Sequence, residues 1–229
     1  MRGFTPTRFR DAATPRSGQL SALGRDLLDF IDALGLESPA LIGHDWGARA
    51  AANACGLRDR VASHLVMLSV GYGTNDPNRP PALPQARNYW YHWYMATSRG
   101  ARVVREERET FARMMWDTWA PEGWYDPADF AEAAGAFQGE DWAEIVLHSY
   151  RHRWGFVEGD PAYDEDEARL HPAPVLSVPT PAITLTVPKA GKHSSRAATN
   201  GWCSMMWGHF PQRESPQAVA EAILQFCLK

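Results

Sequence analysis

The chain has 229 residues, of which 45% are apolar and 22% charged, and this composition predicts one large globular domain or one domain with an insertion. Its 27 acidic and 23 basic residues leave no basic excess for binding nucleic acid or an acidic membrane. Three scattered cysteines without a Cys-x-x-Cys pair argue against a disulfide framework or a zinc site, and no apolar run is long enough to span a bilayer. We therefore expect a cytoplasmic protein that needs no metal or cofactor, and its oligomeric state stays open.

The first 70 residues alternate between helical and strand patterns. Apolar residues recur at helical spacing from Leu20 to Leu34, and Gly35 stands where a helix C-terminus often places glycine. The apolar run 39–42 predicts a short strand, the alanine-rich stretch 48–55 a helix, and the run 61–70 a second buried strand. Helix, strand, tight turn, helix and strand in this order indicate an α/β fold with a parallel sheet.

A segment of different character follows. Between two proline-rich stretches, residues 73–172 show helical patterning without a convincing strand, and this part of the chain holds seven of its ten tryptophans. Residues 175–185 resemble strand material, and residues 216–228 form an amphipathic helical pattern. We predict a core made of residues 1–72 and 173–229, interrupted by a helical insertion at 73–172.

The turn between the first strand and its helix reads Gly43-His44-Asp45-Trp46-Gly47. A nucleophile between two small residues at a strand-to-helix turn is typical of a nucleophile elbow, whose sharpness requires small residues at both ends. The alternative is that Asp45 only caps the following helix. If Asp45 is the nucleophile, the electrophile should be an sp³ carbon, since attack on an acyl carbon would give an anhydride whereas attack on an alkyl carbon gives a hydrolysable ester.

Three segments carry a family resemblance. The elbow, the segment Gly208-His209-Phe210-Pro211-Gln212-Arg213-Glu214 and the turn Arg2-Gly3-Phe4 resemble α/β-hydrolases of the epoxide hydrolase and haloalkane dehalogenase branch. The resemblance implies an α/β-hydrolase core, mostly a parallel sheet, with an inserted helical lid. It also implies that Asp45 is the nucleophile, that His209 activates the water which cleaves its ester, and that the Trp46 backbone N–H is an oxyanion donor. The alternative for His209 is an ordinary loop histidine.

The leaving group separates the two chemistries. An opening epoxide develops an alkoxide that needs a weak acid such as tyrosine, whereas a departing halide needs N–H donors and no proton. The segments around Tyr91 and Tyr150 resemble those that carry the two lid tyrosines of epoxide hydrolases, although both side chains could simply pack the lid. We therefore predict a hydrolase for small apolar epoxides, with haloalkane dehalogenation as the alternative. We also expect Asp45, His209, Tyr91 and Tyr150 to converge on one pocket.

The chain departs from the family pattern in two places. No His-Gly pair occurs, so the His-Gly-x-Pro oxyanion motif is absent, and the sequence begins at what corresponds to the end of the fourth core strand. We therefore expect an incomplete core without the first strands. No acidic residue stands between Glu167 and Glu214, where the acid that orients His209 should lie, and Asp76 is the candidate substitute. A non-catalytic, truncated remnant of the family is the third interpretation of the chain.

Residues 186–207 interrupt the family-like sequence abruptly. Reading this stretch in a displaced codon frame permits His-Gly-Ala-Glu at its start and Leu-Asp-Asp-Val-Gly before His209. We therefore interpret it as a compensated frameshift, with a divergent surface loop as the alternative. The frameshift interpretation predicts that this stretch has low order and fails to form the native strand beside residues 175–185.

Overall fold

A computed structural model of the chain describes residues 1–70, 80–170, 182–186, 202–204 and 208–228. In chain order its helices and strands are α1 (Leu20–Ala33), β1 (Ala40–His44), α2 (Trp46–Leu57), β2 (His64–Leu68), α3 (Leu83–Asn88), α4 (Trp90–Ala96), α5 (Ser98–Glu106), α6 (Arg108–Trp119), α7 (Pro127–Ala134), α8 (Trp142–His152), α9 (Asp164–Leu170), β3 (Ala182–Thr186), β4 (Trp202–Ser204), α10 (Pro211–Glu214) and α11 (Pro216–Cys227). Short 3-10 helices cover Gly135–Gln138 and Pro161–Tyr163.

The described strands form one parallel sheet in the order β1-β2-β3-β4. Its register pairs Ile42 with Val66 and Val66 with Ile183. Parallel neighbours require a crossover connection, and α2 provides it between β1 and β2. The predicted α/β fold with a parallel sheet is confirmed.

One prediction about the segment before His209 is wrong. Residues Trp202–Ser204 form β4 and pair in parallel with Thr184–Thr186 of β3, so a strand does lie beside β3. Aromatic residues such as Trp202 favour the pleated conformation, and the free edge of β3 offers a row of hydrogen-bonding partners. Residues 171–181, 187–201 and 205–207 lie outside the described part of the chain.

The end of α1 follows from Gly35. This glycine has φ of 61°, a left-handed conformation that costs glycine nothing. Its N–H donates to the Asp32 carbonyl, and the Leu36 N–H donates to the Ile31 carbonyl, which together make a Schellman motif. The predicted helix end is confirmed, and it turns the chain directly towards β1.

The middle strand β2 is buried on both faces. Leu65 and Met67 belong to one apolar cluster with residues of α1 and α2, while Val66 and Leu68 pack with Val219 of α11. Side chains alternate across a strand, so each face supplies a separate core. Burying one such side chain stabilises the fold by roughly 1.5–3 kcal/mol. The strand β2 is therefore held by packed side chains on both faces, and it pairs with β1, whose end leads into the turn at Asp45.

The chain divides into two compact units. One contains Met1–Leu23, Asn75–Trp116 and Tyr125–Glu165, and the other contains Gly24–Thr74, Asp117–Trp124 and Asp166–Lys229. The sheet belongs to the second unit. In the described range 83–170 the regular elements are helices, which confirms the helical character predicted for this region. The boundaries 73–172 of the insertion stay a prediction. None of the described helices is long and apolar enough to cross a membrane.

Candidate active site

Asp45 occupies the sharp turn between β1 and α2. Its backbone has φ of 46° and ψ of −109°, a conformation that residues with a side chain rarely adopt and that costs on the order of 1–3 kcal/mol. The Asp45 N–H donates to the Leu68 carbonyl at 3.1 Å, and its carbonyl accepts from the Arg49 N–H at 3.0 Å. The end of β2 and the first turn of α2 thus hold the strained turn from both sides.

The two glycines of the turn behave differently. A Cβ added to Gly43 would lie 2.4 Å from the Gly47 carbonyl carbon, so only glycine fits at this end. Apart from its two chain neighbours and the backbone of its own helix, a Cβ added to Gly47 would meet no atom of the described residues within 4 Å. The prediction that both ends need a small residue is confirmed for Gly43 and wrong for Gly47. The reason is that the Gly47 backbone lies against the position of a Gly43 side chain, whereas the position of a Gly47 side chain has room.

The Asp45 side chain does not cap α2. It makes no capping hydrogen bond, and its Oδ2 lies 3.2 Å from Nε2 of His209 instead. Both side chains keep some contact with solvent, with 23% of Asp45 and 20% of His209 exposed. The structure thus brings together the predicted nucleophile and base, and the capping interpretation is wrong. Trp46, the predicted oxyanion donor, is buried and is the first residue of α2.

Electrostatics favour the ionised form of Asp45. Burial alone raises the pKa of its carboxyl. The hydrogen bond and the charge of His209 outweigh burial, helped by the charge of Arg49, and hold the pKa of Asp45 well below its ordinary value near 3.8. The elbow therefore presents a carboxylate, which is the form that a nucleophile requires.

The loop that carries His209 is held through its backbone. The His209 N–H donates to the Trp119 carbonyl at 2.9 Å. The His209 carbonyl accepts from Nε2 of His44 at 2.8 Å and from the Ser69 hydroxyl. The His209 ring also packs edge-on against the Trp119 ring, with 4.7 Å between the centroids. Sequence reasoning missed His44 and Ser69, although each stands at the end of a strand, where parallel sheets place functional groups.

A carboxylate for the other side of the His209 ring is not found among the described residues, where its ion-pair partner is Asp45. Asp76, the predicted substitute, lies outside the described part of the chain. The described residues also contain no group of three side chains placed to hold a metal ion.

Tyr91 and Tyr150 lie side by side in the other compact unit. Their ring centroids are 5.5 Å apart and their planes are nearly perpendicular. The buried His92 ring contacts both, at 4.3 Å from Tyr91 and 4.6 Å from Tyr150, and its Nδ1 accepts from the Trp154 indole. The two predicted tyrosines are therefore brought together. His92, which sequence reasoning missed, stands directly beside Tyr91 in the chain.

His44 is a partly buried titratable group whose ring lies against the His209 ring. Burial, reinforced by the charge of His209, lowers the pKa of His44 below 6.5, although the hydrogen bond to the His209 carbonyl and the charge of Asp45 oppose this shift. A neutral imidazole has one N–H, and the carbonyl acceptor places it on Nε2. Protonation of His44 is therefore resisted in the folded state.

We expect His44→Gln to reduce the loss of stability in acid. The unfolded chain takes up more protons than the folded one once the pH falls below about 6.5, so the free energy of unfolding decreases from there down through the folded pKa. Glutamine keeps an N–H donor but does not titrate. Urea denaturation from about pH 8 to about pH 5 should show a smaller loss for the variant. The difference in the free energy of unfolding between the two proteins at about pH 8 measures the effect of the altered hydrogen bond. If this free energy fell equally steeply with pH in both proteins, the prediction would be contradicted.

Residues 1–154 match the α/β hydrolase fold family, and the chain belongs to this family. Together with its similarity to the structures below, this makes it an epoxide hydrolase-like hydrolase of the α/β-hydrolase superfamily. No protein among the curated sequences matches it.

Solved structures extend the comparison. The chain is similar to a putative epoxide hydrolase from Klebsiella pneumoniae, with 31% identity and a TM-score of 0.86 over 100% of this chain and 79% of that one. A putative epoxide hydrolase from Pseudomonas aeruginosa shares 20% identity, with a TM-score of 0.76 over 100% and 77% of the two chains. A haloalkane dehalogenase variant from Bradyrhizobium elkanii shares 15% identity, with a TM-score of 0.71 over 96% and 76%. The last two show the common fold.

Proposed function

We propose that the protein opens small apolar epoxides to diols through an alkyl ester of Asp45. The observation that carries this proposal is the contact of 3.2 Å between the Asp45 carboxylate and Nε2 of His209 at a strained elbow. A carboxylate is a suitable nucleophile for an sp³ carbon, and an adjacent imidazole is a suitable base for hydrolysing the resulting ester.

In the first step a carboxylate oxygen of Asp45 attacks an epoxide carbon. The carbon–oxygen bond of the ring breaks, its electron pair stays on the oxygen, and an ester of Asp45 forms. The alkoxide takes a proton from a tyrosine hydroxyl, and we assign this role to Tyr91 and Tyr150. Their adjacent rings support the assignment, because two phenols that serve one oxygen must lie close together.

In the second step Nε2 of His209 accepts a proton from water, and the resulting hydroxide attacks the carbonyl carbon of the ester. Formation of the ester removes the charge of Asp45, so the N–H that Nε2 directs at the carboxylate loses its charged acceptor. The ring proton then exchanges through solvent to Nδ1, which leaves Nε2 free to accept a proton from water. The tetrahedral oxyanion is assigned to the Trp46 backbone N–H. Collapse releases the diol and restores the carboxylate. The imidazolium of His209 then returns one proton through solvent to the tyrosinate left by the first step, which restores the resting enzyme.

Heavy-oxygen water tests this route. In a single turnover with styrene oxide, the new oxygen should appear in the Asp45 carboxylate, because the diol carries away an original oxygen of Asp45. Peptide mass spectrometry locates the label. Label found in the diol alone would rule out the ester, and turnover of 1-bromobutane without turnover of styrene oxide would favour a dehalogenase.

We expect Tyr91→Phe and Tyr150→Phe each to slow ester formation from styrene oxide by about 10²-fold or more, which is the usual contribution of a general acid. Alkylation by 1-bromobutane needs no proton and should stay unchanged. Tyr94→Phe is the matched control, since Tyr94 lies on the same helix and its ring packs against Trp90. Equal slowing with both substrates would contradict the acid role of the tyrosines.

A further inference from the structure

The backbone N–H groups on both sides of His209 bind the same carboxylate, that of Glu214. The Gly208 N–H donates to Oε2 of Glu214, and the Phe210 N–H donates to Oε1 of Glu214 at 2.9 Å. Gly208 and Phe210 are the immediate neighbours of His209, so the two bonds bracket the residue that carries the imidazole. Hydrogen bonds to a charged acceptor are about twice as strong as neutral ones.

The His209 residue itself is fixed in the same way. Its N–H donates to the Trp119 carbonyl, and its carbonyl accepts from His44 and Ser69. The three successive N–H groups of Gly208, His209 and Phe210 and the carbonyl of His209 are therefore anchored, with Glu214 binding the two outer N–H groups. A base that must meet a water molecule within hydrogen-bond distance depends on such anchoring, because a shift of about 1 Å can cost about 10²-fold in rate.

A purely structural role for Glu214 is the competing explanation. Glu214 ends the short helix α10, and Phe210 is the residue that precedes this helix. A carboxylate that reaches back to the N–H groups at a helix start stabilises the helix whether or not a catalytic residue is near. The two roles differ in which reaction step they affect.

We propose that Glu214 is a positioning residue for His209, acting through the Gly208 and Phe210 amides. This inference rests on the proposed function, since it gives His209 the ester-hydrolysing role. Its distinguishing consequence is that loss of the carboxylate slows breakdown of the Asp45 ester and leaves its formation unchanged, because formation uses Asp45 and no base.

The experiment separates the two steps by pulse and chase. Purified full-length protein is labelled with styrene oxide, desalted, and followed by intact mass as the ester disappears. Glu214→Ala should break down the ester about 10²-fold more slowly than the wild type. Glu214→Gln should fall between them, because its amide oxygen can replace only one carboxylate oxygen while its NH₂ group faces the other donor. Glu221→Ala is the control, since Glu221 is an exposed residue on α11 that accepts a hydrogen bond from Gln217 of the same helix.

The outcomes are distinct. Unchanged breakdown in Glu214→Ala would overturn the inference, and so would a fall in formation and breakdown together with a lower melting temperature in Glu214→Gln. If neither the wild type nor any variant forms an ester, the proposed function fails. The positioning role of Glu214 is then tested by the rate at which diethyl pyrocarbonate carbethoxylates His209, measured on the peptide that contains it. A faster reaction in both Glu214 variants than in the control supports the positioning role, and equal rates overturn it.

Discussion

Asp45→Asn is expected to abolish covalent labelling by styrene oxide, while His209→Gln is expected to accumulate the labelled ester. The amide of asparagine is a poor nucleophile, and removing a catalytic nucleophile in a covalent hydrolase costs about 10⁶-fold. In His209→Gln the carboxylate remains, so the ester forms, but no base activates water and the ester persists. Intact mass spectrometry after a short exposure measures both results in one experiment.

The matched control for this pair is Asp32→Asn. Asp32 is a half-exposed carboxylate paired with Arg58, so its loss removes a charge from the same compact unit without altering the elbow. Its labelling should equal that of the wild type. Labelling of Asp45→Asn at the wild-type rate would show that another nucleophile reacts, and rapid loss of the ester in His209→Gln would remove His209 from the hydrolytic step.

The elbow could be predicted from the sequence because its determinants are local. The apolar runs around residues 40–44 and 64–68 are short, and the alanine-rich helix begins directly after Asp45. A strand, a turn and a helix packed into so few residues leave little choice of geometry. The end of α1 was predictable for the same reason, since a single glycine with φ of 61° ends the helix.

The supports of His209 could not be predicted because they are non-local. Its carbonyl is held by His44 and Ser69, which precede it by 165 and 140 positions, and its N–H is held by Trp119. The residue types alone do not predict these contacts, since a histidine beside a nucleophile or a serine after a strand can have many different partners. Glu214 is the exception. It stands four positions after Phe210, within the segment 208–214 that resembles the family's histidine motif, and the reach of its side chain could have been anticipated.

Gly47 and β4 show two further limits. A Gly-x-Asp-x-Gly pattern treats its two glycines alike, but only Gly43 faces backbone at 2.4 Å. Residues 202–204 have no family-like pattern, yet they pair with β3, because an edge strand accepts any chain that can extend beside it. Steric fit and edge pairing are properties of the folded layer and not of a local sequence window.

The unaltered protein is expected to turn over epoxides slowly, because no acidic residue stands between Glu167 and Glu214 to orient His209 and stabilise its imidazolium. Loss of this interaction costs about 10⁴-fold in the serine-enzyme template, which places turnover near 10⁻³ s⁻¹ instead of the median near 10 s⁻¹. Steady-state diol formation from styrene oxide measures this rate.

Asp76→Asn decides whether another acid takes this place. If Asp76 serves His209, the wild type should reach the rate of an ordinary enzyme, and the variant should lose about 10⁴-fold in turnover while still forming the ester. If it does not, the wild type should be slow and the variant indistinguishable from it, which is the result we expect. Asp59→Asn is the control, since Asp59 is an exposed carboxylate 3.8 Å from Arg169. Fast turnover that survives Asp76→Asn would contradict the expectation of a slow enzyme and would direct the search to the remaining carboxylates.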